Sequence, residues 1–218
     1  LGYKGEVIKE YFLNYAWKNK DFKLNVLHGS NSKPDAEILE TDDLKDFEII
    51  FADTGTETQT GGRIKKIERY INDENFFMTY CDNLSNVNLQ SFLEFHKKNG
   101  KIASVVGVHP ISSFSIIEVE DGLATSFKEK PALPGIVSGG IFVFNRKIFD
   151  YLDENSILEE DPLRKLTEEE QLAVLLHEDF WACMDTFKDV DRLNTLWQSG
   201  YLPPSNVKLG KPPWKVWD

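Results

Sequence analysis

The chain has 218 residues, enough for one domain with a sizeable core or one domain plus an appendage. Its 41% hydrophobic and 28% charged content is ordinary for a globular protein, and no apolar run approaches the roughly 18 residues that span a bilayer. A formal charge of −11 argues against a nucleic-acid binder, which needs a basic face, yet leaves room for a local pocket that takes a small anion.

No signal-peptide pattern opens the chain, and Leu1 stands where a start codon would place Met, so an upstream piece is expected. Residues 6–19 place Val7, Ile8, Tyr11, Phe12 and Tyr15 on one helical face. Phe22 to Leu27 alternates like a half-buried strand. His28 to Asp46 is polar and Pro-containing, a long loop or hairpin insertion. Glu48 to Ala52 reads as a strand, and Ile64, Ile67 and Ile71 mark a helix over 60–71. Phe76 to Tyr80 is an apolar strand that ends at Asp82, followed by helical spacing at Leu89, Phe92, Leu93 and His96.

Ile102 to Val108 is a β-branched strand. Ser115 to Val119 and Leu123 to Phe127 form a hairpin, with Asp121-Gly122 as its turn signal. Ile141 to Phe144 is a buried strand and 146–152 a short helix. Pro162 to His177 reads two ways. Thr167 and Glu170 imitate a capping box before a helix, whereas Leu172 to Leu176 is strand-like, with Glu168 to Glu170 as a turn; the strand is preferred. Residues 188–197 form a helix, and a Pro- and Trp-rich tail closes the chain. The division expected is an α/β domain over 1–198 and a tail over 199–218.

Strands alternating with helices predict an α/β three-layer sandwich with a mixed, largely parallel central sheet, the hairpin supplying the mixture. In such sheets ligands lie beyond the carboxyl ends of the strands. Asp82 sits at one such end, and Asp185, after Phe180 to Met184, at another. Two carboxylates at one rim could hold a divalent cation through oxygen. Taken alone, Asp82 is more readily a strand-end acid that caps the next helix than a ligand. Cys81 and Cys183 flank the two acids; they are too few for a disulfide scaffold, lack zinc spacing and are read as packing residues in a reducing cytoplasm. His28, His96, His109 and His177 show no ligand spacing.

Eight short elements in order carry a resemblance: Gly2-Tyr3-Lys4-Gly5 leading to Ile8-Lys9-Glu10-Tyr11-Phe12; Asp53-Thr54-Gly55; Thr60-Gly61-Gly62-Arg63; Tyr80-Cys81-Asp82; Phe127-Lys128-Glu129-Lys130-Pro131; Gly139-Gly140-Ile141-Phe142-Val143; Phe180-Trp181 with Met184-Asp185-Thr186; and Pro213-Trp214-Lys215. Through nearly its whole length the chain resembles the sugar-1-phosphate nucleotidyltransferases of the glucose-1-phosphate cytidylyltransferase group. The resemblance implies the Rossmann-like nucleotide-diphospho-sugar transferase fold and transfer of CMP from CTP to α-D-glucose 1-phosphate, giving CDP-glucose and pyrophosphate. It implies Mg²⁺ held by Asp82 and Asp185, and Lys130 as the cation that meets the sugar phosphate. Glu129 would accept from sugar hydroxyls, and Gly139 and Gly140 would let the backbone approach the sugar. Thr58, Thr60, Gly61, Gly62, Arg63 and the Cys81 backbone would surround the nucleotide, with free N–H groups at a helix start. It further implies a homo-oligomer in the cytoplasm that supplies activated sugars for surface polysaccharide.

The resemblance also marks departures. The family's opening strand, its Gly-rich triphosphate loop and the Pro-Lys-Pro element after it are not in this sequence, which is therefore expected to be N-terminally truncated and inactive without that loop. Cys81, Asn83 and Ser115 stand where the family has Gly. The alternatives are a non-catalytic homologue that binds sugar phosphate or nucleotide, and a metal-dependent glycosyltransferase. The second would want Asp-x-Asp, which Asp82 does not begin.

Overall fold

The computed structural model describes residues 1–25, 35–39, 48–112, 114–129, 131–202, 207–208 and 210–216. The single helix expected at the start is two, α1 (Gly5–Leu13) and α2 (Tyr15–Asn19). The break falls at Asn14, whose side-chain amide donates to Glu10 O at 2.8 Å. β1 (Phe22–Asn25) pairs antiparallel with β2 (Asp35–Ile38), so the polar insertion carries a hairpin; its remaining residues lie outside those described. Residues 48–52 form no strand. An apolar run becomes a strand only where a neighbour completes its ladder, and none among the described residues does. Ile49 and Ile50 are exposed there. The helix expected over 60–71 is α3 (Thr60–Lys66) followed by a 3₁₀ turn at Glu68–Tyr70.

β3 (Asn75–Thr79) and the short β4 (Asn83–Ser85) flank the turn that holds Asp82. α4 (Leu89–Asn99) starts where the Asn88 side chain accepts from Ser91 N at 2.9 Å, and ends at Gly100 with φ 62°. β5 (Ala103–Val108) is buried throughout. β6 (Ile116–Glu120) and β7 (Leu123–Lys128) turn at Asp121 and Gly122, both with positive φ, as a two-residue hairpin with this twist demands. β8 (Val137–Asn145) leads into a 3₁₀ helix, Arg146–Tyr151. α5 (Asp161–Glu168) is followed by β9 (Leu172–His177), with Glu170 at φ 56° in the turn between, which settles the ambiguous stretch as strand. β10 (Trp181–Cys183), α6 (Phe187–Ser199) and the small β11 (Tyr201–Leu202) and β12 (Val207–Lys208) complete the chain.

The central sheet has the order β3-β8-β5-β9. β5 and β9 are parallel, and β8 runs against both β3 and β5. Three strands therefore share a direction and their carboxyl ends share a rim. The sheet is mixed because of β8. The expected source of the mixture, the β6–β7 hairpin, forms a two-stranded sheet of its own. Its two faces are largely exposed, the apolar Ile117, Val119, Leu123 and Phe127 included, and none of these side chains packs into either core cluster.

Alternation along the strands sorts the core into two layers. Ala103, Val105, Phe142 and Phe144 face Ile64 of α3, Ile148, Phe149 and Leu166 of α5. Val106, Val108, Ile141 and Val143 face Phe92 of α4. Helices cover both faces of a mixed sheet, the α/β sandwich expected. Among the described residues no helix is long and apolar enough to cross a membrane.

Candidate active site

The two acids meet. Asp82 leaves the carboxyl end of β3, and β10 returns antiparallel to β4, pairing Cys183 with Asn83 and Trp181 with Ser85. Met184 N–H donates to Asp82 O at 2.7 Å, continuing that ladder by one residue. A carboxylate oxygen of Asp82, one of Asp185 and the Cys183 sulfur all lie within 4.8 Å of one another. Asp82 and Asp185 are exposed and Cys183 is half-buried, so the cluster opens to solvent.

Gly139 and Gly140 make this meeting possible. Between the pairs Val105–Phe142 and Gly107–Ser138 the register slips, and residues 139–141 of β8 face Val106 alone. Gly140 takes φ 70°, and a Cβ there would stand 2.9 Å from Asn83 Nδ2 and 3.0 Å from Tyr80 Cδ2. Gly140 O accepts from Tyr80 N at 3.0 Å. Gly139 O accepts from Trp181 Nε1 at 2.8 Å. The bulge thus seats the segment bearing Asp82 on one side and the strand leading to Asp185 on the other. Close approach by the chain's own residues already calls for glycine here.

The Thr60-Gly61-Gly62-Arg63 element is tied inward. The Thr60 hydroxyl accepts from Leu158 N at 2.9 Å and donates to Glu159 Oε2 at 3.1 Å. A Cβ on Gly61 would come within 2.8 Å of Ser156, and one on Gly62 would strike Glu154 O. Gly62 N–H donates to Ser156 O at 3.0 Å and Arg63 N–H to Gln59 O at 2.9 Å. Those two groups are not the free donors the sequence leads one to expect, because the 154–158 loop and the preceding turn consume them. The Arg63 guanidinium donates to Thr54 Oγ1 at 2.8 Å and Thr56 O at 3.0 Å. Thr58 donates to Thr54 O at 2.5 Å and accepts from Lys66 Nζ at 3.0 Å.

Glu159 links this element to the acids. Its second oxygen accepts from Tyr80 OH, two residues before Asp82. Burial first, and then the Glu159 carboxylate, hold the Tyr80 phenol far above its ordinary range. The Cys183 thiol is pushed up to about 11, by burial first and then by the Asp185 carboxylate it donates to at 3.2 Å and the charge of Asp82.

Cys81 is exposed in the turn with Asp82. Glu129 is exposed after β7, and Lys130 lies outside the described residues. The chain beyond it is anchored past the carboxyl end of β5, where Ser112 N donates to Pro131 O at 2.9 Å and Ile111 bridges Ala132. A cavity of about 670 Å³ opens at the other rim, among Asn75, His96, Lys101, Asn145, Tyr151 and Gln171, away from the acids.

The Nucleotidyl transferase family model matches residues 13–200. The chain belongs to that family. A probable glucose-1-phosphate cytidylyltransferase of Bacillus subtilis is 40% identical over 219 residues, covering 100% of this chain and 80% of the relative. The glucose-1-phosphate cytidylyltransferase of Salmonella typhimurium is 33% identical over 226 residues, covering 100% of this chain and 79% of that one. Among solved structures, a putative glucose-1-phosphate thymidylyltransferase from Bacillus anthracis is 15% identical with a TM-score of 0.48, and HddC from Yersinia pseudotuberculosis is 20% identical with a TM-score of 0.46. The matches cover 64% of this chain and 61% of the first structure, and 61% of this chain and 60% of the second.

Within this nucleotidyltransferase fold, sequence reasoning did not join Glu159 to Thr60 and Tyr80, and it read Cys183 as a packing residue. Glu159 carries no local signal, since only the fold brings it to Thr60. Cys183 did carry one. It precedes Asp185 by two residues in an extended segment, the spacing that puts two side chains on one face.

Proposed function

We propose that the chain transfers CMP from CTP to α-D-glucose 1-phosphate, forming CDP-glucose and pyrophosphate. The observation that carries this reading is the convergence of Asp82 and Asp185 at one rim, in a nucleotidyltransferase whose relatives bear the cytidylyltransferase name. An oxygen of the sugar phosphate attacks the α-phosphorus of CTP as the bond to the bridging oxygen of the leaving pyrophosphate breaks. Such a reaction is governed by positioning and by neutralising crowded negative oxygens.

The donor set fits a divalent cation: two carboxylates within 4.8 Å, open to solvent, on segments locked by the β4–β10 ladder. Asp82 and Asp185 would hold Mg²⁺, which when bound would draw charge from the phosphate oxygens of both substrates. Lys130 would meet the sugar phosphate as a point charge, and Glu129 would accept from the sugar hydroxyls. Gly139 and Gly140 would bring bare backbone to the sugar. Thr58, Thr60, Gly61, Gly62, Arg63 and Cys81 would border the nucleotide; with Thr60 and Arg63 tied to their own chain, their part is to hold that wall in place. We place the protein in the cytoplasm, feeding polysaccharide synthesis, as a homo-oligomer. The exposed Val7, Ile8, Tyr11 and Phe12 of α1 supply an apolar surface for a second copy, which light scattering would read.

The test is pyrophosphate release with CTP, glucose 1-phosphate and Mg²⁺, with UTP and dTTP as competing nucleotides. Asp82→Asn and Asp185→Asn are each expected to lower the rate about 100-fold or more; near-normal rates in either would remove the reading. Lys130→Ala is expected to raise KM for glucose 1-phosphate about tenfold and to change that for CTP less. Equal effects on both substrates would contradict its role.

A further inference from the structure

We propose that Glu159 is a positioning residue: through the Tyr80 phenol it fixes the turn that carries Asp82, and so sets the acid pair against the wall at Thr60. The inference rests on the reading that Asp82 and Asp185 hold a cation, and it names a residue outside that pair on which the cation depends.

Three observations carry it. The first is a fixed origin. Leu158 is fully buried in the core layer that contains Ile64 and Leu166. Its N–H donates to Thr60 Oγ1 at 2.9 Å, and Ser156 O accepts from Gly62 N–H at 3.0 Å. The backbone that delivers Glu159 is therefore pinned to the start of α3 just before it, and α5 begins just after it.

The second is the form of the link. Glu159 Oε2 accepts from Thr60 Oγ1 at 3.1 Å, and Oε1 accepts from the Tyr80 hydroxyl. No cation pairs with Glu159 among the described residues. Two hydroxyl donors give directional bonds, which hold a side chain at an angle as well as at a distance.

The third is a short lever. Tyr80 is held at three points: its phenol by Glu159, its ring against Gly140, and its N–H by Gly140 O at 3.0 Å. Only Cys81 separates it from Asp82, and one residue spans at most about 3.6 Å. Releasing the phenol removes the outer anchor of the ring and loosens the turn, so Asp82 spends less time within reach of Asp185. Cation affinity suffers when a ligand's support is lost, because the ligand must then be ordered on binding.

The experiment is a manganese titration of the full chain, read by electron paramagnetic resonance, which measures free ion and needs no turnover. Glu159→Ala and Tyr80→Phe are each expected to weaken manganese binding about tenfold. The double variant is expected to lose no more than about twofold beyond either one, since both changes cut the same link. Glu159→Gln is the conservative control. Its amide oxygen can accept from Tyr80 and its amide N–H can donate to Thr60, so affinity is expected to stay within about threefold of the unaltered chain. Urea unfolding checks that each variant is folded; should Glu159→Ala not be, Tyr80→Phe cuts the link from its other end. Unchanged affinity in Tyr80→Phe, additive losses in the double variant, or equal losses in Glu159→Gln and Glu159→Ala would each overturn the proposal, the last by assigning the effect to charge. Manganese that still binds the unaltered chain and is lost in Asp82→Asn would leave the cation reading standing in those cases. Failure of the unaltered chain to bind manganese would take both down.

Discussion

Thr60 serves two partners with one hydroxyl. It accepts from Leu158 N–H and donates to Glu159, which in turn takes the Tyr80 phenol. Leu158 is fully buried, so loss of the hydroxyl would orphan its N–H group. Thr60→Val keeps the shape and removes the bonds, and is expected to cost about 1–3 kcal/mol in urea unfolding. A change below a few tenths would show that the hydroxyl is dispensable. At this scale the residue types were legible, but the partners were not. Nothing near position 60 announces Glu159, and Arg63, expected beside nucleotide, spends its guanidinium on Thr54 and Thr56.

The elements follow local chemistry where that chemistry is complete. α6 begins with a capping box: Thr186 accepts from Asp189 N–H, and the Asp189 carboxylate accepts from Thr186 N–H at 3.0 Å. Thr186→Ala removes half of it and is expected to cost about 1 kcal/mol. Chemical denaturation checks this, and restoration by Thr186→Ser would separate capping from side-chain volume. Asp121-Gly122 likewise supplies its own turn. Residues 48–52 show the opposite case, apolar enough for a strand yet without a ladder partner among the described residues. The bulge at Gly139 and Gly140 is an element-scale device as well. Two glycines in a buried strand could mark tight packing or substrate approach, and the contacts with Tyr80, Asn83 and Trp181 show the packing role directly.

At the scale of the molecule, one buried histidine ties stability to pH. His96 on α4 reaches Ser104 of β5 at 2.9 Å and Asn75 of β3 at 3.0 Å, spanning helix and sheet. Burial lowers its pKa from the ordinary 6.5. The sign follows. As pH falls through 6.5 the unfolded chain takes up the proton first, so stability is full at neutral pH and declines below it, until the folded ring also titrates. The urea midpoint is expected to drop between neutral pH and about pH 5. His96→Gln is expected to flatten that part of the profile, and an unchanged slope would show that other groups control it.

The buried strands β5 and 141–144, the hairpin turn and the carriage of acids to strand ends were all determined by the sequence alone. They depend on apolar period, turn chemistry and breakers, which act over a few residues. Tertiary structure alone decided that β8 runs against its neighbours, that the β6–β7 hairpin stands apart, and that Asp82, Cys183 and Asp185 share one rim. Those outcomes depend on which strand completes which ladder and which face finds a cover. Such choices are made between segments about a hundred positions apart, where no local pattern reaches.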